Sequence, residues 1–169
     1  MVQERNKGGA VIALLMIGLG LWYLAAQFLE PVRALAYGPD TWPYQILVIA
    51  ALFALVGLLT WTPGLMIPAA IIGGIGAILL YQNTYHAWET WAFAWTLIPG
   101  FVGVGLLLYG ILTRKNGALI GALWTLFVSA VLFGIFGWAL GGIQIAAAVW
   151  PVALIVFGAI LLLQALRRR

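Results

Sequence analysis

Residues 117–137 read GALIGALWTLFVSAVLFGIFG, an unbroken apolar run without a single Asp, Glu, Lys, Arg or His. Its polar side chains are Thr125 and Ser129, one helical turn apart. About 20 such residues are what an α-helix needs to cross the roughly 30 Å of bilayer hydrocarbon. Every backbone amide in that medium must be satisfied within the segment or within a closed barrel, and the alternating polar and apolar pattern of a barrel strand is missing here. Helix is therefore the expected state.

Runs of the same kind lie at Gly9–Phe28, Pro43–Trp61, Gly64–Tyr81, Ala92–Leu112 and Ala147–Leu166. The first carries nine Leu, Ile, Val or Phe residues. At −0.3 to −0.6 kcal/mol each, they favour insertion by roughly 3–5 kcal/mol. Composition points the same way: 65% of the 169 residues are hydrophobic and 7% charged, against roughly 45–50% and 25% in a soluble domain. Twelve charged side chains are too few to cover a soluble surface of this size. The expected fold is an all-α polytopic membrane protein, a single membrane domain over 1–169 with six transmembrane helices.

Basic residues followed by an apolar run can also open a secretory signal, and Ala34-Leu35-Ala36 offers a small-x-small pattern. The run is longer than a signal core, and Trp22 and Tyr23 stand near its far end, where an anchored span places aromatics. The first span is expected to stay in the mature protein.

Orientation follows from seven of the eight basic residues. Arg5 and Lys7 precede the first span, Arg114 and Lys115 join the fourth and fifth, and Arg167, Arg168 and Arg169 follow the sixth. Basic residues collect on the cytoplasmic side, so both termini are expected to be cytoplasmic, in a cytoplasmic (inner) membrane. Glu30, Arg33, Asp40, His86 and Glu89 fall on the opposite side. The net charge of +4 is thus an orientation signal, and nucleic acid is not an expected partner.

Two sets of landmarks recur. Gly9-Ala10-Val11-Ile12, Gly64-Leu65-Met66-Ile67 and Gly117-Ala118-Leu119-Ile120 open the odd spans, while Trp42-Pro43, Trp95-Thr96 and Trp150-Pro151 open the even ones. Their nearly equal spacing predicts three tandem helical hairpins over approximately 8–62, 63–115 and 116–169. Each unit has two spans, so the units are parallel repeats related by an axis near the membrane normal.

The pattern of a Gly-rich span, a short outer loop, then Trp-Pro and a Leu/Ile run ending in basic residues resembles the LiaI/LiaF-like transmembrane region. Ala148–Leu163 is the stretch that carries it best, and three copies would cover nearly the whole chain. The resemblance implies bacterial envelope-stress signalling, with the chain as an anchor or as a regulator of a sensor kinase. The middle unit departs from the pattern, with Thr96 where the others have Pro.

Little in the chain points to chemistry. Without cysteine there is no disulfide, Fe–S cluster or thiolate metal site. No ionisable group lies in the middle of a span, where ion pathways and proton relays keep theirs. Gly73-Gly74 and Gly103-x-Gly105 lie inside spans and are not phosphate loops. His86 and Glu89 have i, i+3 spacing, but two ligands do not make a metal site. With Trp88 and Trp91 they form a candidate outer-face interaction surface in an aromatic belt. No catalytic, cofactor-binding or metal-binding residue is expected, and no cofactor.

Small residues at four-residue spacing, Ala69, Gly73 and Ala77, then Gly117 and Gly121, then Ala130 and Gly134, are candidates for close helix packing. Gln45, Thr125 and Ser129 are expected to bond local carbonyls or neighbouring helices. Pro68 and Pro99 are expected to interrupt and kink the third and fourth spans, a binding cavity between them being the less favoured alternative. The expected function is a non-enzymatic scaffold, anchor or accessory subunit acting by helix contact, with membrane lipids and another membrane protein or a second copy of itself as partners. The alternatives are an envelope-stress regulator and a small channel or carrier for an uncharged or lipid-like solute.

Overall fold

A computed structural model describes residues 7–38, 40–141 and 144–167. Among them there are helices and turns and no strand. Helix α1 covers Lys7–Phe28, α2 Glu30–Tyr37, α3 Trp42–Leu59, α4 Met66–Tyr85, α5 Trp91–Ala94, α6 Ile98–Thr113, α7 Asn116–Ala139 and α8 Gln144–Arg167. Short 3₁₀ turns at Pro63–Leu65, Trp88–Thr90 and Trp95–Leu97 lead into α4, α5 and α6.

Five of the helical stretches among the described residues are long and apolar enough to cross a membrane: Gly8–Phe28, Trp42–Leu59, Pro63–Tyr85, Trp88–Thr113 and Asn116–Ala139. They are apolar all round and yet largely uncovered by protein. Only 6% of the first window and 17–22% of the other four are buried inside the chain. Phe28, Leu59 and Ile155 are each more than 70% exposed. A helix that is apolar on every face belongs either in a large core or in lipid, and the core among the described residues is small, made largely of alanines with a few larger side chains such as Met66, Ile78 and Phe93.

The long helices pack serially. α1 contacts α3, α3 contacts α4, α4 contacts α6, α6 contacts α7 and α7 contacts α8, with the most extensive interfaces at α6 with α7 and α3 with α4. Among the described residues no substantial contact joins α1 to α8, so the helices form an open row. The two largest interfaces therefore fall at the borders between the hairpin units read from the sequence, not inside them.

Glycine sets how close these helices come. A Cβ on Gly105 would stand 2.6 Å from the Ile67 Cα, so α6 and α4 meet backbone to backbone. A Cβ on Gly103 would meet Leu126 and Thr125 of α7 at 2.7 Å, and one on Gly76 would meet Leu47 of α3 at 2.9 Å. At the far edge, Phe157 of α8 stacks on Phe127 at 4.4 Å between ring centroids and meets Trp124 edge-on at 4.6 Å.

Pro99 stands at the start of α6 and Pro68 is the third residue of α4. The first turn of a helix has no intrahelical acceptors for its N–H groups, so a proline there loses nothing. Pro68 lies in the first turn of α4, and Pro99 directly follows the 3₁₀ turn at Trp95–Leu97 that interrupts the Trp88–Thr113 stretch. Pro151 is the reverse case: it lies inside α8, seven positions after Gln144, whereas Pro43 opens α3. Trp42-Pro43 and Trp150-Pro151 are thus not structurally equivalent.

Three helices end on a left-handed residue other than glycine. Trp61, His86 and Arg114 have φ of 52°, 51° and 54°. In each case the next amide reaches back five residues: Thr62 to Gly57 O at 2.8 Å, Ala87 to Gln82 O at 3.0 Å and Lys115 to Gly110 O at 3.1 Å. This is the Schellman closure, which glycine usually occupies.

Candidate functional site

Of the buried polar side chains, Gln82 lies at one end of the helices, in the last turn of α4, while Ser129 is midway along α7. The Gln82 end is marked by the stack of Trp42 on Trp88, with centroids 6.3 Å apart and planes 7° from parallel, and by Asn83, whose side-chain amide donates to the Asp40 carbonyl. These contacts bring the segment before α3 and the segment after α4 to a single face.

Gln82 is the centre of this end. It is in the last turn of α4, wholly buried, and its Nε2 donates to the Thr90 hydroxyl at 3.0 Å. Thr90 in turn donates to the Ala87 carbonyl at 2.6 Å, which ties the 3₁₀ turn to the helix end. Among the described residues Gln82 Oε1 has no hydrogen-bond partner. A buried amide oxygen left in that state costs about 1–3 kcal/mol.

Beside this network, between α4, α5, α6 and α7, lies an apolar cavity of about 390 Å³. Gly74, Ala77 and Tyr81 of α4 form one wall, Phe93 and Ala94 of α5 with Phe101 of α6 another, and Thr90 contributes its hydroxyl-bearing side chain. The Phe101 ring lies so close over Gly74 that a Cβ there would stand 2.2 Å from it. The volume is within the roughly 300–1,000 Å³ of small-molecule sites. No residue lining it is charged.

His86 and Glu89 are both exposed at this same end. His86 serves α4 through its backbone, as the left-handed residue of the cap. Among the described residues no group of three or more His, Asp or Glu side chains could hold a metal. Trp88 and Trp91 are 45% and 41% exposed. No family model, curated protein or solved structure matches the chain. The resemblance to the LiaI/LiaF-like region therefore rests on the quoted residues alone.

The small residues read as packing positions take several places. Ala69 is buried and Gly73 faces the Ala50 Cβ of α3 at 3.4 Å. Ala77 lines the cavity, Ala130 lines a smaller groove of about 190 Å³ against α8, and Gly134 is buried. Gly121 approaches Leu106 only to an ordinary 3.7 Å, and Gly117 faces open space. Closer approaches occur at other glycines, among them Gly18, Gly74, Gly100, Gly103, Gly105 and Gly110. Gly100-x-x-Gly103 and Gly103-x-Gly105 were the available signal in the sequence.

Other polar contacts fix the ends of helices. Gln45 of α3 donates to the Ala36 carbonyl of α2 and accepts from the Tyr23 hydroxyl of α1 at 3.1 Å. Arg33, on α2, donates to the Ala26 and Gln27 carbonyls at the end of α1 and pairs with Glu30 at 3.2 Å. A cation there also suits the negative end of the helix dipole. Thr125 bonds carbonyls of its own helix at Gly121 and Ala122, while Ser129 donates across to Thr96.

At the opposite end Lys115 donates to the Tyr109 hydroxyl at 3.0 Å and lies 5.5 Å from the centre of its ring. That hydrogen bond, with the charge interaction beside it, raises the lysine above its ordinary pKa. Arg114 is the left-handed cap residue of α6. Of the remaining orientation signals, Arg5, Arg168 and Arg169 and the side chains of Lys7 and Arg167 lie outside the described residues.

Proposed function

We propose that this chain is a non-enzymatic scaffold, anchor or accessory subunit of a bacterial inner membrane, acting through lateral helix contacts with another membrane protein or a second copy of itself. In this reading the 24-residue α8 is a sixth crossing. The three hairpins are tandem parallel units, both termini are cytoplasmic, and the Trp88 end is external.

The observation that carries the reading is the open row. α1 and α8 each pack on one long neighbour, and the first span leaves nearly its whole length uncovered. Met16 and Ile17 on α1 and Leu162 on α8 are all more than half exposed. Edges of this kind give a partner helix a place to pack at either side. The resemblance to the LiaI/LiaF-like region supports the anchor role and suggests an envelope-stress system as its setting.

Gentle extraction from native membranes followed by native mass spectrometry tests this. A reproducible complex with another membrane protein, or a defined homo-oligomer, is the expected result. A bare monomer under every extraction condition would remove the scaffold reading.

A further inference from the structure

We infer that the face of α8 turned away from α7, made by Ile155, Gly158 and Ala165, receives α1 of a second copy of this chain through Ala10, Ile17 and Gly20. The inference rests on the scaffold reading and deepens it, by naming the partner and the two faces that meet.

Two interfaces inside the chain share one register. Between α3 and α4, a Cβ on Gly57 would meet Met66, one on Gly73 would meet Ala50 and one on Gly76 would meet Leu47. Between α6 and α7, a Cβ on Gly110 would meet Leu119, one on Gly103 Leu126 and one on Gly100 Ser129. Every residue of the second set stands 53 positions after its counterpart in the first. Both pairings are antiparallel, since the numbers rise along one helix as they fall along the other. Each pair contains a glycine, so no two large side chains collide. Apolar helices in lipid gain nothing by leaving hydrocarbon, and such fit is what holds them together.

α8 carries the same face, uncovered. Leu52 of α3 turns to the preceding helix at Gly18, Gly105 of α6 does so at Ile67, and Ile160 of α8 lines the groove against α7. Five before, two before and five after these residues stand Leu47, Ala50 and Gly57 on α3, and Gly100, Gly103 and Gly110 on α6. On α8 the same places hold Ile155, Gly158 and Ala165. All three are exposed, and a Cβ on Gly158 would meet nothing within 4 Å.

α1 carries the complement. Gly74 of α4 lies under Phe101, Phe127 of α7 stacks on Phe157, and Gly18 of α1 lies against Leu52, so each of the three turns to the helix that follows. Eight, five and one before them and two after stand Met66, Ala69, Gly73 and Gly76 on α4, and Leu119, Ala122, Leu126 and Ser129 on α7. Counted from Gly18, α1 has Ala10, Ala13, Ile17 and Gly20 there, all exposed. The faces on α4 and α7 are taken by α3 and α6, and no substantial contact joins α1 to α8 within the described chain. A second copy in the same orientation brings its α1 antiparallel to α8. The pairs are then Ala165 with Ala10, Gly158 with Ile17 and Ile155 with Gly20, again with no two large side chains opposed. Such a head-to-tail contact is heterologous, and each copy keeps one edge for the next.

The chain has no cysteine, so crosslinking tests this directly. Two full-length forms with different tags are expressed together in a bacterial membrane, one with a cysteine on α8 and one with a cysteine on α1, and oxidised. Gly158→Cys with Ile17→Cys, and Ala165→Cys with Ala10→Cys, should form disulfides that join the two tags. Ala165→Cys with Gly20→Cys should not, because ten residues of helix offset them by roughly 15 Å and a disulfide needs Cα atoms within about 7 Å. Gly158→Trp places its ring in open space in the single chain, so folding is retained, and it should abolish the Ala165 to Ala10 disulfide.

Gly158→Cys crosslinking to itself would overturn the inference in favour of an α8 to α8 contact, and the Ala165 to Gly20 disulfide would overturn the antiparallel register. With no disulfide at either expected pair, native mass spectrometry separates the two failures. An oligomer or a complex with another protein would overturn this contact alone, while a bare monomer would remove the scaffold reading with it.

Discussion

Ser129 of α7 donates its hydroxyl proton to the Thr96 carbonyl at 2.7 Å, across 33 residues of sequence, joining α7 to the 3₁₀ turn that leads into α6. Both residues are buried, and Gly100 leaves the room: a Cβ there would stand 2.7 Å from the Ser129 oxygen. Interhelical bonds of this kind in membrane proteins are worth about 0.6 kcal/mol on average and up to roughly 1.7. Ser129→Ala should cost about that much in reversible denaturation. Gly100→Ala should cost more, and less in the Ser129→Ala background than alone, because the oxygen it collides with is gone. Additive losses would show that the two positions do not meet.

Glycine substitutions separate close contacts from open ones. Gly105→Ala drives a methyl into the Ile67 backbone, which cannot yield, and should destabilise by about 1–3 kcal/mol, as overpacking does. Gly20→Ala meets nothing within 4 Å and should be neutral or mildly stabilising. Thermal denaturation of the two variants in one detergent gives the comparison; similar losses at both would contradict the α4 and α6 packing.

His86 tests whether the outer cluster depends on a side chain or on backbone geometry. A left-handed residue with a Cβ carries a penalty of about 1–2 kcal/mol that glycine does not. His86→Gly should therefore raise the melting temperature. A clear loss of stability would show that the imidazole holds the turn in place.

Lys115 gives a pH dependence with a definite sign. Its pKa is raised in the folded chain by the Tyr109 hydroxyl, so the stabilising contribution is present below the ordinary lysine value of 10.5 and is lost as pH climbs through the higher folded value. Tyr109→Phe should bring the lysine back toward 10.5 in an NMR titration of the side-chain methylene next to the amine, with little change near neutral pH. An unchanged titration would show that the contact at 3.0 Å does not persist in solution.

The helices were legible because length and unbroken apolarity decide them. The stretch at 117–137 is the middle of α7, which runs only one residue earlier and two later. What the linear pattern left out depends on neighbours. α2 is an eight-residue helix with Pro31 in its first turn, held by Gln45 of α3 and by the bonds of Arg33 to the end of α1. Pro68 and Pro99 read as kinks because the 3₁₀ turns before α4 and α6 make each apolar run longer than the α-helix inside it. Gly103 and Gly121 are the same residue type in similarly apolar surroundings; only the partner helix makes one tight and the other loose. The network at Gln82 and Thr90 was invisible for a related reason, since the two residues are eight apart and meet only through the left-handed turn at His86.

The chain has no cysteine, so single cysteines can report sidedness against a silent background. The central claim is a helical chain that crosses the membrane six times with the Trp88 end outside. Asp40→Cys, Glu89→Cys, Thr62→Cys and a cysteine appended after Arg169 should be expressed one at a time in intact cells and treated with a membrane-impermeant maleimide. The account predicts labelling at positions 40 and 89 and protection at 62 and after 169 until the cells are opened. Labelling after Arg169 in intact cells would contradict the sixth crossing, and labelling at both 40 and 62 would contradict the crossing by α3.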